Sequence, residues 1–395
     1  MDRDTELQLI DELLEIKASR TFYLDEGVTR SPVSRYISQE RFDLEREHLF
    51  RQVPLIAAHV SELAEPGSFL RKNLAGLPVL LTRDKEGRAN AFLNVCRHRG
   101  TQLVEAGSGC SHKFTCPYHA WTYSSAGKLI AAPHFKQGFT GEDKADYGLK
   151  RLMCEERHGF IWVRARGEGD VDIDGFLGGL GEELAALDIE DMFLASDETI
   201  EVEANWKLIV EGGIEAYHFK VAHRDTIGPF FEDNLSTYRI FGDHMRSILM
   251  RSSMARLAPD TREDWRLRDH AQVLYNLLPT SSLLVQQDHI AWIHAEPLGP
   301  AKTQLRLATL APKAQAHRAD HWAHNHQITK TTLMEDFVLN ESMQKGIASG
   351  AIEYMTFGRF EGALDAYNRV VEGYLDQATA LADAANPPAR RNGGC

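Results

Sequence analysis

Long apolar runs are missing from this 395-residue chain. Stretches such as Leu77-Pro78-Val79-Leu80-Leu81 and Phe160-Ile161-Trp162-Val163 fall far short of the ~20 residues needed to span a bilayer, which argues against a helical membrane protein. Basic residues are in the minority. Lys plus Arg is 44 against 57 for Asp plus Glu, a formal net charge of −13. Non-specific nucleic-acid binding needs a positive surface, so that class is set aside. The surplus of acid reads as solubility; its functional alternative is a docking face for a basic partner. Cysteine is scarce and odd in number: Cys96, Cys110, Cys116, Cys154 and Cys395. The chain opens on the polar, acidic Met1-Asp2-Arg3-Asp4 with no signal-peptide core after it, so five thiols do not read as a disulfide framework. A cytoplasmic location is expected. What is present is ordinary for a globular protein, 43% hydrophobic and 26% charged, with length for two or three domains at ~150 residues each.

Periodicity divides the chain. Asp4 to Ser19 carries Leu7, Ile10, Leu13, Leu14 and Ile16 at helical spacing among acids, an amphipathic helix. A polar arm with Pro32 and Tyr36 follows. From Phe50 to Val163 short apolar runs alternate with turn residues: Val53–Ala58, Gly67–Arg71, Pro78–Thr82, Ala91–Val95, Phe114–Cys116, Leu129–Ala132 and Phe160–Val163. That spacing predicts a small antiparallel β domain, with a boundary at Gly167–Asp174. Beyond it, Asn205–Val221, Ile328–Ser349 and Ala363–Ala385 read as helices, and Val273–Leu278, Ser282–Gln287 and His289–Glu296 as strands. The expected divisions are an N-terminal helix and arm (1–39), the β domain (40–165), a mixed α+β domain (166–385) and a flexible tail (386–395).

Three cysteines have a histidine two or three residues on. Cys96-Arg97-His98 is followed, 17 residues later, by Cys116-Pro117-Tyr118-His119. Structural zinc sites normally pair C-x2–4-C with H-x3–5-H, so two mixed pairs suit zinc poorly. They suit a [2Fe–2S] cluster held by two thiolates on one iron and two imidazoles on the other, with one Cys and one His from each of two neighbouring loops. Neutral imidazoles make such a cluster less negative and raise its reduction potential. Each pair follows an apolar strand, Phe92–Val95 or Lys113–Thr115. Gly100, Gly107 and Gly109 permit tight turns, and Pro117 stiffens the second loop. Cys110-Ser111-His112 is also C-x-H, but it lies too close to Cys116 to form a separate finger and reads as connecting turn. These residues resemble the Rieske family. Respiratory members carry an extra cysteine in each loop, joined as a disulfide; Thr101 and Tyr118 stand there in this chain. The stretch Cys116-Pro-Tyr-His-Ala-Trp-Thr-Tyr123 is similar to the second loop of Rieske non-haem iron oxygenases, with Ala120 where glycine is common, a departure expected to matter little.

An oxygenase needs a second iron. His218 and His223 lie five apart, so a perfect helix would set them ~140° apart; they converge on one metal only if the helix ends or distorts between them. A carboxylate must complete the set. On the helix from Ile328, the positions Leu333, Phe337, Asn340, Gln344 and Ile347 share a face with Asp336, and an inward carboxylate is costly unless paired or metal-bound. Two His and one carboxylate form the facial triad of non-haem Fe(II) oxygenases. Glu335 is the rival third ligand. His317, His321, His324 and His326 read as a solvated linker. Glu215-x-x-His218-x4-His223 also resembles the oxygenase pattern, in which the carboxylate is usually Asp and links a cluster histidine of one subunit to an iron histidine of the next. Its Glu form is similar to members acting on quaternary amines such as carnitine. Glu211, on the same face, reads equally as a support or a surface acid. Asn205 reads as an N-cap and Trp206 as core.

The resemblance covers residues 40 to 375. It implies an antiparallel β Rieske domain and a helix-grip-like catalytic domain, whose curved antiparallel sheet is covered by helices. It places a [2Fe–2S] cluster on Cys96, His98, Cys116 and His119, and a mononuclear Fe(II) on His218, His223 and Asp336, with O2 as cosubstrate and Glu215 as inter-subunit electron bridge. The expected assembly is a homotrimer. A separate NAD(P)H reductase, with or without a ferredoxin, would supply electrons, since the chain has no Walker motif and no G-x-G-x-x-G after a strand. The expected reaction is hydroxylation, as in aromatic ring hydroxylation by a mono- or dioxygenase, or oxidative dealkylation of a small molecule. Pocket candidates are Phe219, Phe230, Phe231, Leu235, Leu284, Gln286 and Trp292, forming a cation–π cage or an apolar slot for an arene. The competing classes are a Rieske electron carrier without substrate chemistry and a zinc-stabilised binding module.

Overall fold

Strand-forming residues dominate two stretches of the chain, and each folds into its own antiparallel sheet. The computed structural model describes residues 1–105, 107–167 and 170–385; the expected tail, 386–395, lies outside them. In the first unit seven strands pair, in spatial order Leu55–His59, Phe160–Arg164, Arg151–Arg157, Ala89–Leu93, Leu77–Arg83, Ser68–Leu74 and Ser108–Cys110. A three-stranded sheet, Lys113–Thr115, Thr122–Ser124 and Leu129–Ala131, covers one end. The apolar runs mark the strands within one to three residues. The sequence reading passed over Arg151–Arg157, Thr122–Ser124 and Ser108–Cys110, which carry little or no run of apolar residues. Cys110, expected in a turn, is an exposed residue of the last of these.

The second unit is a seven-stranded sheet, in order Met192–Val202, Lys302–Pro312, Ile290–Gly299, Ser281–Val285, Ala271–Leu277, His244–Arg251 and Phe231–Phe241. Every neighbouring pair is antiparallel. Helices lie against it. The N-terminal helix Arg3–Ala18 puts Leu9, Ile10 and Leu13 into a core with Ile248, Val273 and Trp292. The arm is not an arm: Ser31 and Pro32 belong to a strand paired with Tyr354–Phe357, and Tyr36 is fully buried, its hydroxyl donating to Glu211 Oε1 at 2.7 Å.

A continuous apolar core joins the two units. It contains Leu55, Val79 and Ile161 of the first and Trp206, Val210 and Ile214 of the second, sealed by Leu364, Tyr367 and Val371 of the helix Gly362–Ala385. Under it lies a buried ion pair: Lys207 Nζ is 2.7 Å from Glu45 Oε1, both side chains fully shielded, and the Trp206 indole donates to Glu45 Oε2 at 2.9 Å. The helix Ala319–Ala348 begins nine residues earlier than its apolar pattern suggests. The histidines expected in a linker therefore fall at its N-terminal end. His326 is buried, between Thr309 Oγ1 at 2.9 Å and Glu198 Oε1 at 3.1 Å, while His317, just before the helix, and His324 are exposed.

Candidate active site

Two loops of the first unit are built alike. The Cys96 amide donates to Thr101 O at 2.8 Å and the Gly100 amide to Cys96 O at 3.0 Å. In the second loop the Cys116 amide donates to Trp121 O at 2.8 Å and the Ala120 amide to Cys116 O at 3.0 Å. Each loop buries its cysteine, 2% and 3% exposed, and carries its histidine outward, His98 half-buried and His119 exposed. The imidazoles meet at a centroid distance of 4.6 Å, and Trp121 stacks on His98 at 5.0 Å. The Tyr123 hydroxyl lies 3.4 Å from Cys96 Sγ and accepts from the Arg97 amide at 3.0 Å. Burial raises the Cys96 pKa, and nearby Cys116 adds to the rise.

These residues fit a two-iron cluster. Both thiols are free of disulfides, and the buried Nδ1 of His98 has no hydrogen-bond partner. Among the described residues the one set of three or more metal-ligating groups whose donor atoms lie within 4.8 Å of one another is elsewhere.

The converging set is His218, His223 and Asp336. The helix Trp206–Ile214 starts where the Asn205 side chain accepts from the Lys207 amide at 3.0 Å. It ends after Gly212 and Gly213, residues of low helix propensity. Glu215 is extended, and a single turn, Phe219–Ala222, follows, with His218 at its start and His223 at its end. The first helix stops before the pair, and the single turn between them ends at Ala222, ahead of His223, so helix does end between the histidines as their spacing requires; their rings lie 5.0 Å apart. Asp336 Oδ1 is 3.1 Å from His223 Nε2 and 3.5 Å from His218 Nε2. His218 Nε2 is buried without a hydrogen-bond partner, the mark of an atom waiting for a ligand.

Both outer nitrogens are occupied. His218 Nδ1 contacts Glu215 Oε1, and His223 Nδ1 lies 2.7 Å from Glu335 Oε2, which also accepts from the Thr226 hydroxyl at 2.7 Å. Such partners fix the tautomer and aim Nε2 at the metal. Glu335, the rival ligand, thus lies behind His223 and outside the converging set; as the neighbour of Asp336 on one helix it leaves the axis in a different direction. Burial disfavours a charge on His218, yet Asp336 and Glu215 overcome it and carry its pKa up to about 10. The site is built for positive charge and holds protons where a cation would sit. Glu211, four residues before Glu215, is buried, hydrogen-bonded by Tyr36 and Asn368 at 2.7 Å each, and so is not a surface acid.

Two of the three, His223 and Asp336, border a cavity of about 100 Å³. His223 and Asp336 form its polar end, and Phe219, Leu274, Leu284, Ile293 and Leu333 its apolar walls. Gly212 and Gly213 also line it, leaving the nearest atoms 4.0 and 3.9 Å from where a β-carbon would stand. Ile227, Gln272, Gln286, Ile328 and Thr329 border both this chamber and an outer cleft of about 590 Å³. Of the pocket candidates, Phe219, Leu284 and Gln286 line the inner chamber, and Phe230, Phe231 and Gln286 the outer cleft. Leu235 and Trp292 line neither. Leu235 packs with the N-terminal helix core; Trp292, 1% exposed, sits under the Arg306 guanidinium at 4.6 Å on a separate cleft. Strand alternation turned them away. Sequence reasoning missed Gln272 and Arg251 at these cavities, because polar strand residues carry no local signal of which face they take, and it missed Thr226, a turn residue whose hydroxyl meets Glu335.

Residues 53–151 match the family described as the Rieske [2Fe-2S] domain, and residues 189–377 match the ring hydroxylating alpha subunit (catalytic domain). The chain is 35% identical over 202 residues to the glycine betaine monooxygenase oxygenase subunit of Pseudomonas aeruginosa, a stretch covering 51% of this chain and 46% of that protein. It is 30% identical over 213 residues to the anthranilate 1,2-dioxygenase large subunit of Acinetobacter baylyi, 51% of this chain and 44% of that one. The chain spans about half the length of these two relatives. A solved quaternary ammonium Rieske monooxygenase superposes with a TM-score of 0.75 at 25% identity, over 88% of this chain and 96% of that one.

Proposed function

This chain belongs to the Rieske non-haem iron ring-hydroxylating oxygenase alpha subunits, and from that premise we propose that it is the terminal oxygenase of a multicomponent system, placing oxygen from O2 into a small organic substrate by hydroxylation or oxidative dealkylation. The observation that carries this reading is the convergence of His218, His223 and Asp336 to within 4.8 Å at the polar end of an apolar chamber. An electron carrier has no use for such a chamber.

In this reading Cys96, His98, Cys116 and His119 hold the cluster, and His218, His223 and Asp336 the mononuclear iron. Bound, the two groups supply one-electron transfer and dioxygen activation. The chain does the rest. Glu215 and Glu335 meet the Nδ1 atoms of the two imidazoles and aim Nε2 inward. Asp336 places one negative charge against the cation. Leu274, Leu284, Ile293 and Leu333 keep water from the reacting carbon. The exposed His119 marks the face where an electron leaves the loops. Across the subunit boundary of a homotrimer Glu215 would link a cluster histidine of the neighbouring subunit to His218 by hydrogen bonds, and a separate NAD(P)H reductase, with or without a ferredoxin, would supply the electrons. Residues 40–165 and 166–385 bound the two units. No helix among the described residues is long and apolar enough to cross a membrane.

Anaerobic purification with iron and sulfide analysis tests the reading. Two cluster irons, one further iron and two acid-labile sulfides per chain are expected, with label from 18O2 in the product. Absence of acid-labile sulfide overturns it.

A further inference from the structure

The outer cleft holds a guanidinium with no carboxylate partner. Arg251 ends the strand His244–Arg251 and lines the cleft half-buried. Its Nη2 donates to Gln286 Oε1 at 2.7 Å, and its guanidinium stands 5.8 Å from the Phe231 ring centroid. Among the described residues no acid forms an ion pair with it. Burial draws its pKa down, and Asp269 opposes this only from a distance. Asp269 is itself exposed and lines the cleft, as does the exposed Arg256. Asp288, the other acid of the cleft, is already taken by His321 Nε2 at 2.8 Å and His289 Nδ1 at 2.9 Å.

A partly buried cation without a counter-charge is costly to keep. The surroundings hold it in place rather than neutralise it. The main chain of Gln286 is fixed: its backbone N–H donates to His289 O at 2.9 Å, and its backbone carbonyl accepts from Arg268 Nε at 2.8 Å. Gln286 and Gln272 also border the inner chamber. Arg251 therefore stands along the passage to His223 and Asp336, with a polar wall beside it and an apolar pocket beyond. A guanidinium fork matches a carboxylate with two parallel hydrogen bonds.

We propose that Arg251, positioned by Gln286, is the anion subsite of this enzyme, so that the substrate is a small carboxylate held by its acid group in the outer cleft with its reacting carbon in the inner chamber. This rests on the oxygenase reading and narrows its substrate class. The shared chemistry is the carboxylate; its source is an aromatic acid or a quaternary ammonium acid.

Calorimetric titration of the cluster-loaded protein under nitrogen separates the cases, with benzoate against benzamide and glycine betaine against choline as probes. One carboxylate binds at least about tenfold tighter than its uncharged or acid-free counterpart, and Arg251→Met abolishes that preference while leaving the counterpart's affinity unchanged; tenfold is about 1.4 kcal/mol. Benzoate preference assigns the aromatic class, betaine preference the quaternary ammonium class. Equal binding within both pairs, no binding of either acid, or a preference that survives Arg251→Met overturns the proposal. His218→Ala protein keeps the preference, which excludes capture by the iron. Iron and sulfide content test the oxygenase reading separately, so either can fail alone.

Discussion

Glu335 and His223 are joined carboxylate to imidazole, Oε2 to Nδ1, at 2.7 Å, one residue before the acid that faces the other side of the same ring. The contact settles which nitrogen of His223 is free. Glu335→Ala removes it and also frees the Thr226 hydroxyl. Loss of such a partner typically costs 10–100-fold in metal affinity or activity. Iron retention during dialysis against a graded chelator should fall by about that factor, with the visible spectrum of the cluster unchanged.

His218→Ala deletes a ligand whose Nε2 has no other partner. Turnover should disappear and iron should drop to the two of the cluster, with the reduced-state EPR signal intact. Simultaneous loss of both would mean that the two sites are not independent.

Glu215→Gln keeps an acceptor for His218 Nδ1 and removes the charge. Both metals should stay bound, while cluster reoxidation during a single turnover slows at least about tenfold, the lower range for a lost partner of a metal ligand. An unchanged rate removes Glu215 from the electron path.

Glu211 links acidity to stability. Burial carries its pKa from 4.5 up to about 7 against the pull of Tyr36 and Asn368. The folded protein thus binds this proton more tightly than the unfolded chain, and unfolding releases it. Its contribution is at its most favourable below pH 4.5 and is lost as pH rises through about 7. Glu211→Gln should flatten that part of the stability profile, by on the order of 3 kcal/mol across the window. Urea titrations of both proteins from pH 5 to 8 measure the difference.

Ala120 occupies in the second loop the place of Gly100 in the first, and both have left-handed backbones, φ 55° and φ 82°. The substitution was expected to matter little, but a β-carbon in that region costs roughly 1–2 kcal/mol. Ala120→Gly should therefore raise the unfolding free energy measured by urea titration, by up to about 1 kcal/mol once the entropy of the extra glycine is counted, without moving the cluster spectrum.

What could be read beforehand was local. Cys96 with His98, and Cys116 with His119, announce themselves because each pair lies within one loop. His218 and His223 needed only the inference that a helix must break, and Gly212-Gly213 shows where. Asp336 was reachable because an acid on an inward helical face is expensive. Distant relationships were not legible. Tyr36 looked like part of a polar arm, since Glu211, its partner, is 175 residues away. The strands Phe231–Phe241 and His244–Arg251 escaped notice because polar residues such as Arg246 and Ser247 are buried in them by tertiary partners. Trp292 was misassigned for the same reason: strand sequence gives alternation but not which face meets the iron.

Two hydrogen atoms, the side chains of Gly212 and Gly213, border the inner chamber. Enlarging either by one or two carbons would reshape the cargo space without disturbing a ligand, a hydrogen bond or a charge. The enzyme's molecular diet can be redrawn from a helix end that takes no part in its chemistry.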